Sequence, residues 1–350
     1  MNRILTSAMI FYCAAFWGWP SSKSARADDD EVARTNQSTI IRGLNFLQAD
    51  AVKWRQDKTC STCHHGSMTM WVQLEALSRG FTVAPDELQE NIRWAKERIM
   101  ERADLPRDTR AGWSMVNTPA IYAAIMAHMI PKQQAFSAAD LNRIAGHVLR
   151  HQEENGAWMW SSAPPKNVPP PFFESDEVAT RLAWLALSPQ SRSGSDEARS
   201  IQANLDRAEQ WLQNTPPTES TQAAVLRLIM LQQKTASEVE RKQAVDELLK
   251  LQSSDGGWAQ LRGGASDAYA TGQVLYGLSL AGVPCASEPV RRAITFLVNS
   301  QRDDGSWPMK KRTHPGETPT QNVVPITYFG TAWAVLGLMR YAPCEIDATP

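Results

Sequence analysis

Apolar residues recur at helical spacing along almost the whole chain, and they do so in two alternating styles. One style is amphipathic, as in Val245, Leu248, Leu249 and Leu251, and predicts a helix that buries a single face. The other is apolar on several faces at once, as in Ala120 to Ala127 and Thr331 to Leu338, and all-round apolarity predicts burial on every side. Taken in order, the first kind centres near Phe46, Trp94, Val148, Trp211, Leu248 and Phe296, and the second near Val72, Ala124, Leu182, Leu226, Val274 and Ala334. Six helical hairpins result. Six buried helices running parallel in an inner ring, wrapped by six amphipathic outer ones, make an all-α (α/α)6 toroid.

The hairpins carry an internal repeat. Gln152, Gly156 and Trp158 share their spacing with Gln252, Gly256 and Trp258 and with Gln301, Gly305 and Trp307, each triplet lying between an outer and an inner helix. The residue types predict structural staples: Gly ending the outer helix in a left-handed cap, Trp packing over the junction, and Gln binding free backbone groups at a helix end. Other hairpins have lost the pattern; the second keeps only Gly112-Trp113 and the fourth has Asn214-Thr215-Pro216-Pro217. These Gln-x3-Gly-x-Trp copies resemble the QW repeats of squalene-hopene cyclases and their relatives, the terpene cyclase and prenyltransferase toroids. The resemblance runs from about Thr39 to Tyr341 and speaks to fold more than to chemistry.

What the resemblance implies about chemistry can be examined residue by residue. Squalene-hopene cyclases protonate their substrate with the middle aspartate of an Asp-x-Asp-Asp motif, and Asp176 in Glu174-Ser175-Asp176-Glu177 occupies that place, with both flanking aspartates replaced by glutamate. The same stretch has a second explanation, because Ser175-Asp176 recurs as Ser266-Asp267 at the corresponding point of another hairpin. Ser as N-cap with an acid in the first turn accounts for both copies through capping and the helix dipole. The related protein prenyltransferases need zinc held by Asp, Cys and His, and no Asp-x-Cys opens an inner helix here.

A different chemistry sits in the first hairpin, where Cys60-Ser61-Thr62-Cys63-His64 replaces the Gln-Gly-Trp turn and runs straight into His65-Gly66. Two cysteines three apart followed by histidine is the spacing of covalent haem c attachment: two thiols reach the two vinyl groups on one porphyrin edge, and the next side chain turns under the iron. Cys60 and Cys63 would form the thioethers and His64 would bind iron. The same pair can instead close as a disulfide, or hold zinc with His64 or His65, although a closed zinc site wants four ligands and no second Cys/His cluster of ligand spacing exists in the chain.

Export bears on that choice. Arg3, the apolar run from Ile4 to Trp19 and Ala25-Arg26-Ala27 predict a secretory signal at 1–27, hence a periplasmic or otherwise extracytoplasmic protein, where bacterial haem c is attached. A flexible segment at 28–38, the toroid at 39–341 and a tail at 342–350 complete the expected layout, with no membrane-spanning segment after cleavage. Removing the leader takes three of the 36 basic residues and none of the 37 acidic ones, leaving a net charge of about −4 and no sign of nucleic-acid binding. Cys285 and Cys344 close the similar endings of two successive hairpins and are candidates for a disulfide, if their Cα atoms come within about 7 Å.

In such a ring the inner amino termini converge on one rim, together with the haem motif, the proline-rich stretch Ser161 to Phe173 and the basic stretch Pro308 to Pro325. A six-coordinate haem would take a second axial ligand from that rim, with Met159 or Met309 first among the candidates; His128, His147 and His151 read as ordinary helix residues. The leading expectation is an exported single-haem toroid for electron transfer or haem redox chemistry on a ligand in the ring, with a redox partner protein. The alternatives are a terpene or triterpene cyclase, or an apolar or isoprenoid lipid binder, with Asp176 as proton donor, and an interaction scaffold without catalysis.

Overall fold

The computed structural model describes residues 23–57, 63–104, 113–132, 135–159, 175–309 and 324–342. The outer helices are α1 (Lys23–Asp57), α3 (Pro85–Ala103), α5 (Ala138–Arg150), α7 (Asp196–Asn214), α9 (Glu238–Lys250) and α11 (Glu288–Ser300). The inner helices are α2 (Thr69–Ser78), α4 (Trp113–Met129), α6 (Asp176–Leu187), α8 (Thr221–Gln233), α10 (Ala268–Leu280) and α12 (Val324–Met339). All twelve helix centres expected from the pattern fall inside these elements. Each inner helix packs on the next, α4 meeting the first hairpin at the turn Cys63–Met68 that leads into α2, and α12 packs back on α2, so the ring is closed. The chain is an all-α (α/α)6 toroid.

The three Gln-Gly-Trp turns are the same device used three times. In each, the Gln amide donates to the Gly carbonyl of its own turn and to a carbonyl of the following outer helix: Gln152 to Asn204, Gln252 to Pro289 (both 2.8 Å) and Gln301 to Thr39 (2.9 Å). The third of these joins the last hairpin to the first. The indole N–H of Trp158, Trp258 and Trp307 donates to the carbonyl of Val148, Leu248 and Leu297 in the preceding outer helix at 2.7–2.8 Å. Their backbone N–H groups donate to Thr180, Thr271 and Thr331 in the inner helix that follows, at 2.9–3.0 Å. One turn thus binds three helices, and all three indoles are fully buried.

Glycine has a different role from the expected helix cap. The α5 helix ends at Arg150 with His151 as its cap, five residues before Gly156. Gly156, Gly256 and Gly305 take φ of +93°, +90° and +87° inside the turn, where a Cβ would meet the carbonyl oxygen of Arg207, Arg292 or Arg42 at 2.4–2.7 Å. Both the backbone angle and the contact with the next outer helix require glycine. A second close approach joins inner helices: a Cβ on Gly272 of α10 would lie 2.2 Å from the carbonyl oxygen of Trp333 in α12.

The end of the ring away from these turns is locked by charge. Buried Glu75 of α2 accepts from Arg79 (2.7 Å) and pairs with Arg340 just past α12 (3.2 Å), while Arg340 donates to the Tyr276 hydroxyl (2.8 Å) and lies 4.3 Å from the centre of its ring. First and last hairpins are therefore tied at both ends.

Three details depart from the pattern-based expectations. Helix α1 runs through 28–38, the stretch expected to be flexible, and buries Asn36 and Thr39. The cap of α10 is Asp267, which accepts from the Ala270 N–H at 2.8 Å, because Ser266 is drawn into a two-stranded ribbon opposite Ala259. Cys285 is disulfide-bonded, while its expected partner Cys344 lies outside the described residues.

Replacing Gly305 with Ala adds both backbone strain and a clash with Arg42, and is expected to cost about 2–4 kcal/mol in urea unfolding. Gly194 shares the positive φ (+73°) with open space around it, so Gly194→Ala should cost only about 1–2 kcal/mol. Equal losses would mean that the turn's contact with the next helix contributes nothing.

Candidate functional site

The first inner helix begins abnormally. Cys63–Met68 form a single π-helical turn that leads into α2, a geometry seen mostly as an isolated turn at functional sites. It places His64 and His65 side by side in the interior, between α1 and α12. Cys60 lies outside the described residues, as do the proline-rich stretch and most of the basic stretch expected to flank the motif.

The surroundings of the two imidazoles define their hydrogen-bonding state. His65 is sandwiched between Trp54, stacked at 4.2 Å and 11°, and Tyr328 at 3.7 Å. Its Nε2 meets Asp50 Oδ2 at 2.7 Å and its Nδ1 meets Nδ1 of His64. Trp54 also touches the His64 ring edge-on at 5.0 Å. Burial lowers the pKa of His64 well below the usual value, with the neighbouring His65 adding to the effect; burial also lowers that of His65, against the pull of Asp50.

Two neutral imidazoles and one carboxylate satisfy these contacts in one arrangement. Asp50 accepts from Nε2–H of His65, and the Nδ1 lone pair of His65 accepts from Nδ1–H of His64. The lone pair of His64 is then on Nε2. A chain of this kind is what orients a metal-binding histidine: the ring nitrogen away from the metal donates to a partner that is itself anchored by a carboxylate. Sequence reasoning identified His64 and missed Asp50, Trp54 and Tyr328; only the i, i+4 spacing of Asp50 and Trp54 on α1 hinted that they share a face.

The two methionines expected as axial ligands lie in the third and sixth hairpins. Met309 is buried against Gly330 of α12, two residues from Tyr328 and so on the other side of that helix from the His65 contact. Met159 follows Trp158 in the third hairpin, with the second hairpin intervening between it and the motif. Among the described residues no group of three or more His, Cys, Asp or Glu side chains could hold a metal ion.

Asp176 lies half-buried in the first turn of α6, and Ser175 caps that helix through the Val178 N–H as expected. Its neighbour Glu177 is buried and committed: one oxygen accepts twice from Arg181 and the other accepts from the N–H and hydroxyl of Thr218. Among the described residues, the carboxyl group whose pKa is raised is that of Asp267. Burial outweighs its hydrogen bonds from the Ala270 N–H and from Gln260 and raises its pKa to about 6.

Among the described residues, side chains from all six inner helices crowd together at the centre of the ring. Each inner helix contributes to its lining, through Trp71, Tyr122, Leu182, Val225, Tyr276 and Trp333 among others, and the remaining space is about 20 Å³. Trp71 packs against Tyr276 and Trp333 at 5.8 and 5.6 Å. That volume suits about one water molecule, whereas drug-sized ligands occupy about 300–1,000 Å³.

The fold and the lining of its centre define the class: an α/α toroid of the terpene-cyclase type. Residues 40–214 match the prenyltransferase alpha-alpha toroid domain and residues 174–349 the squalene-hopene cyclase C-terminal domain, so the chain belongs to this squalene cyclase and prenyltransferase toroid family. It is 29% identical over 133 residues to a squalene–hopene cyclase of Zymomonas mobilis, covering 38% of this chain and 20% of that protein. With a probable squalene–hopene cyclase of Sinorhizobium fredii it shares 31% over 188 residues, covering 50% and 28%. The chain thus spans between a fifth and a third of the length of these curated relatives. In fold it is similar to the type II terpene cyclase MstE from Scytonema, at a TM-score of 0.55 with 16% identity over 89% of this chain and 99% of that one. It is also similar to a protein from Salmonella enterica described as a possible member of the GH105 family, at 0.51 with 14% identity over 81% of this chain and 83% of that one.

The His147–His151 pair belongs to packing in α5: the rings lie 4.7 Å apart and His151 Nδ1–H donates to the His147 carbonyl. Burial, then the charges of His151 and Arg150, lower the pKa of His147 to about 4. The unfolded chain takes up this proton near pH 6.5 and the folded one does not, so stability present above pH 6.5 is lost as pH falls toward 4. Urea unfolding at pH 5 should show about 1–2 kcal/mol less stability than at pH 7 from this residue. The drop should shrink in His147→Leu; an identical drop in that variant would assign the pH dependence elsewhere.

Proposed function

We propose that this chain is an exported squalene-cyclase-like toroid carrying one covalent haem c on Cys60 and Cys63, with His64 as iron ligand, and that it works in electron transfer or haem redox chemistry. The observation that carries the reading is the Asp50–His65–His64 chain, which fits a metal-binding imidazole presenting Nε2. Bound there, the haem would supply one-electron chemistry. The chain's own residues have separate tasks. Trp54 and Tyr328 hold the His65 ring and keep water from it, Asp50 anchors the proton on its Nε2, and His65 in turn orients His64. The space among Trp71, Tyr276 and Trp333, about 20 Å³, is too small for an isoprenoid and supports the same reading.

A second reading has the relatives behind it: cyclisation or binding of an isoprenoid, with Asp176 as proton donor and the two cysteines as a disulfide. The half-buried Asp267, with its pKa near 6, is the stronger acid candidate for such chemistry.

Protein purified from the periplasm of a host that matures haem c should be red, keep its haem on denaturation and lose it in Cys60→Ala/Cys63→Ala. In Asp50→Asn the absorbance should persist while the reduction potential rises, because the imidazole donates less to the iron. Colourless protein would end the proposal. A cyclised product from a polyprenyl substrate, lost in Asp176→Asn or Asp267→Asn, would establish the second reading instead.

A further inference from the structure

The fourth hairpin, where Asn214-Thr215-Pro216-Pro217 stands in place of the Gln-Gly-Trp turn, lacks the bond that ties three of the six outer helices, α5, α9 and α11, to their successors. No hydrogen bond joins α7 to α9 among the described residues, whereas the intact turns bind α5 to α7, α9 to α11 and α11 to α1. Between α7 and α9 lies a cleft of about 340 Å³ that reaches down to α6 and α8. It is large enough for a small ligand, and it is separate from both the ring centre and the histidine pair.

The hydrogen-bonding capacity of this cleft is one-sided. Its acids are already engaged: Glu177 accepts from Arg181 and Thr218, Glu209 from the Trp184 indole and Lys234, and Glu240 from the N–H and hydroxyl of Ser237. Its cations have donors to spare. Arg181, only 10% exposed, commits Nε and Nη2 to Glu177 and turns Nη1 toward the sulfur of Met230 at 3.5 Å. Arg227 uses one nitrogen, on Glu247, and Lys234 makes a single bond, to Glu209. Leu212, Met230 and Leu231 supply an apolar wall beside these donors.

The geometry points to a binding site for a small amphiphile, with an oxyanion head (carboxylate or phosphate) on Arg181, Arg227 and Lys234 and a short apolar chain against Leu212, Met230 and Leu231. A guanidinium deep in a cleft, with one nitrogen facing only a thioether sulfur, suits such a head through charge-assisted hydrogen bonds. The apolar wall distinguishes this ligand from a free anion. The loss of the fourth turn is then what opens the outer ring to it, and the site stands whether or not the first hairpin carries haem.

Calorimetric titration of the full chain with octyl phosphate tests this, with octanol and inorganic phosphate as controls and a sodium octanoate arm to separate phosphate from carboxylate heads. Octyl phosphate should bind one to one, and octanol and inorganic phosphate each at least roughly tenfold more weakly. The double variant Arg227→Gln/Lys234→Gln changes partly exposed side chains, so it should keep its urea midpoint while losing about tenfold or more in affinity. Absence of binding, equal affinity in the double variant, or inorganic phosphate binding as tightly as octyl phosphate would overturn the assignment. Octanoate binding as tightly as octyl phosphate supports the site with a carboxylate head; weaker octanoate binding supports it with a phosphate head.

Discussion

A ring of helices has no free end at which to relax, so every outer helix must sit at a set distance from the next or the circle fails to close. At three of the six steps that distance is fixed by the contact between a glycine without a side chain and the carbonyl of the following outer helix, with a Gln amide donating to the same helix. The Trp of each turn adds bonds to the outer helix before it and the inner helix after it. Gln301 and Gly305 apply the device across the seam, to Thr39 and Arg42. The hydrophobic effect gathers the inner helices, and these directed contacts select the circle among the ways of packing them.

Where the device is missing, the chain does something else. At the first hairpin the turn is replaced by the Cys-x-x-Cys-His stretch, and Arg55 of α1 ties this hairpin to α3 through Asn91 and Glu87 instead. At the fourth, nothing among the described residues replaces it, and a cleft with spare donors stands open. Two of the three departures from the repeat therefore coincide with the candidate haem site and the proposed amphiphile site; at the third, the second hairpin, Lys96–Asp140 and Arg150 on the Ala103 carbonyl tie α3 to α5 instead.

The fold was legible because its signals are periodic and local. Helical spacing located all twelve helices, and three copies of Gln-x3-Gly-x-Trp specified how they close. Less legible were features set by long-range contact. Glycine looked like a helix cap because positive φ is common there, yet its requirement comes from Arg42, Arg207 and Arg292 in neighbouring hairpins. Ser266 matched Ser175 in sequence but was drawn into a ribbon with Ala259, passing the cap to Asp267. His64 was visible from its motif, whereas Asp50, Trp54 and Tyr328 have ordinary sequence neighbourhoods and acquire meaning only when α1 and α12 meet. The crowding at the centre could not be read from composition, since the same aromatic residues can line a cavity or occupy it.

Family membership and the histidine chain pull the functional reading in different directions, and the covalent state of Cys60 and Cys63 decides between them. The most direct measurement is the intact mass of the protein purified from the periplasm of a host that matures haem c, taken under denaturing, non-reducing conditions. Our account predicts the mass of the chain plus one haem, with the added group located on the peptide that contains Cys60 and Cys63. The mass of the chain alone, or of the chain less the hydrogens lost to a disulfide between these cysteines, would contradict it.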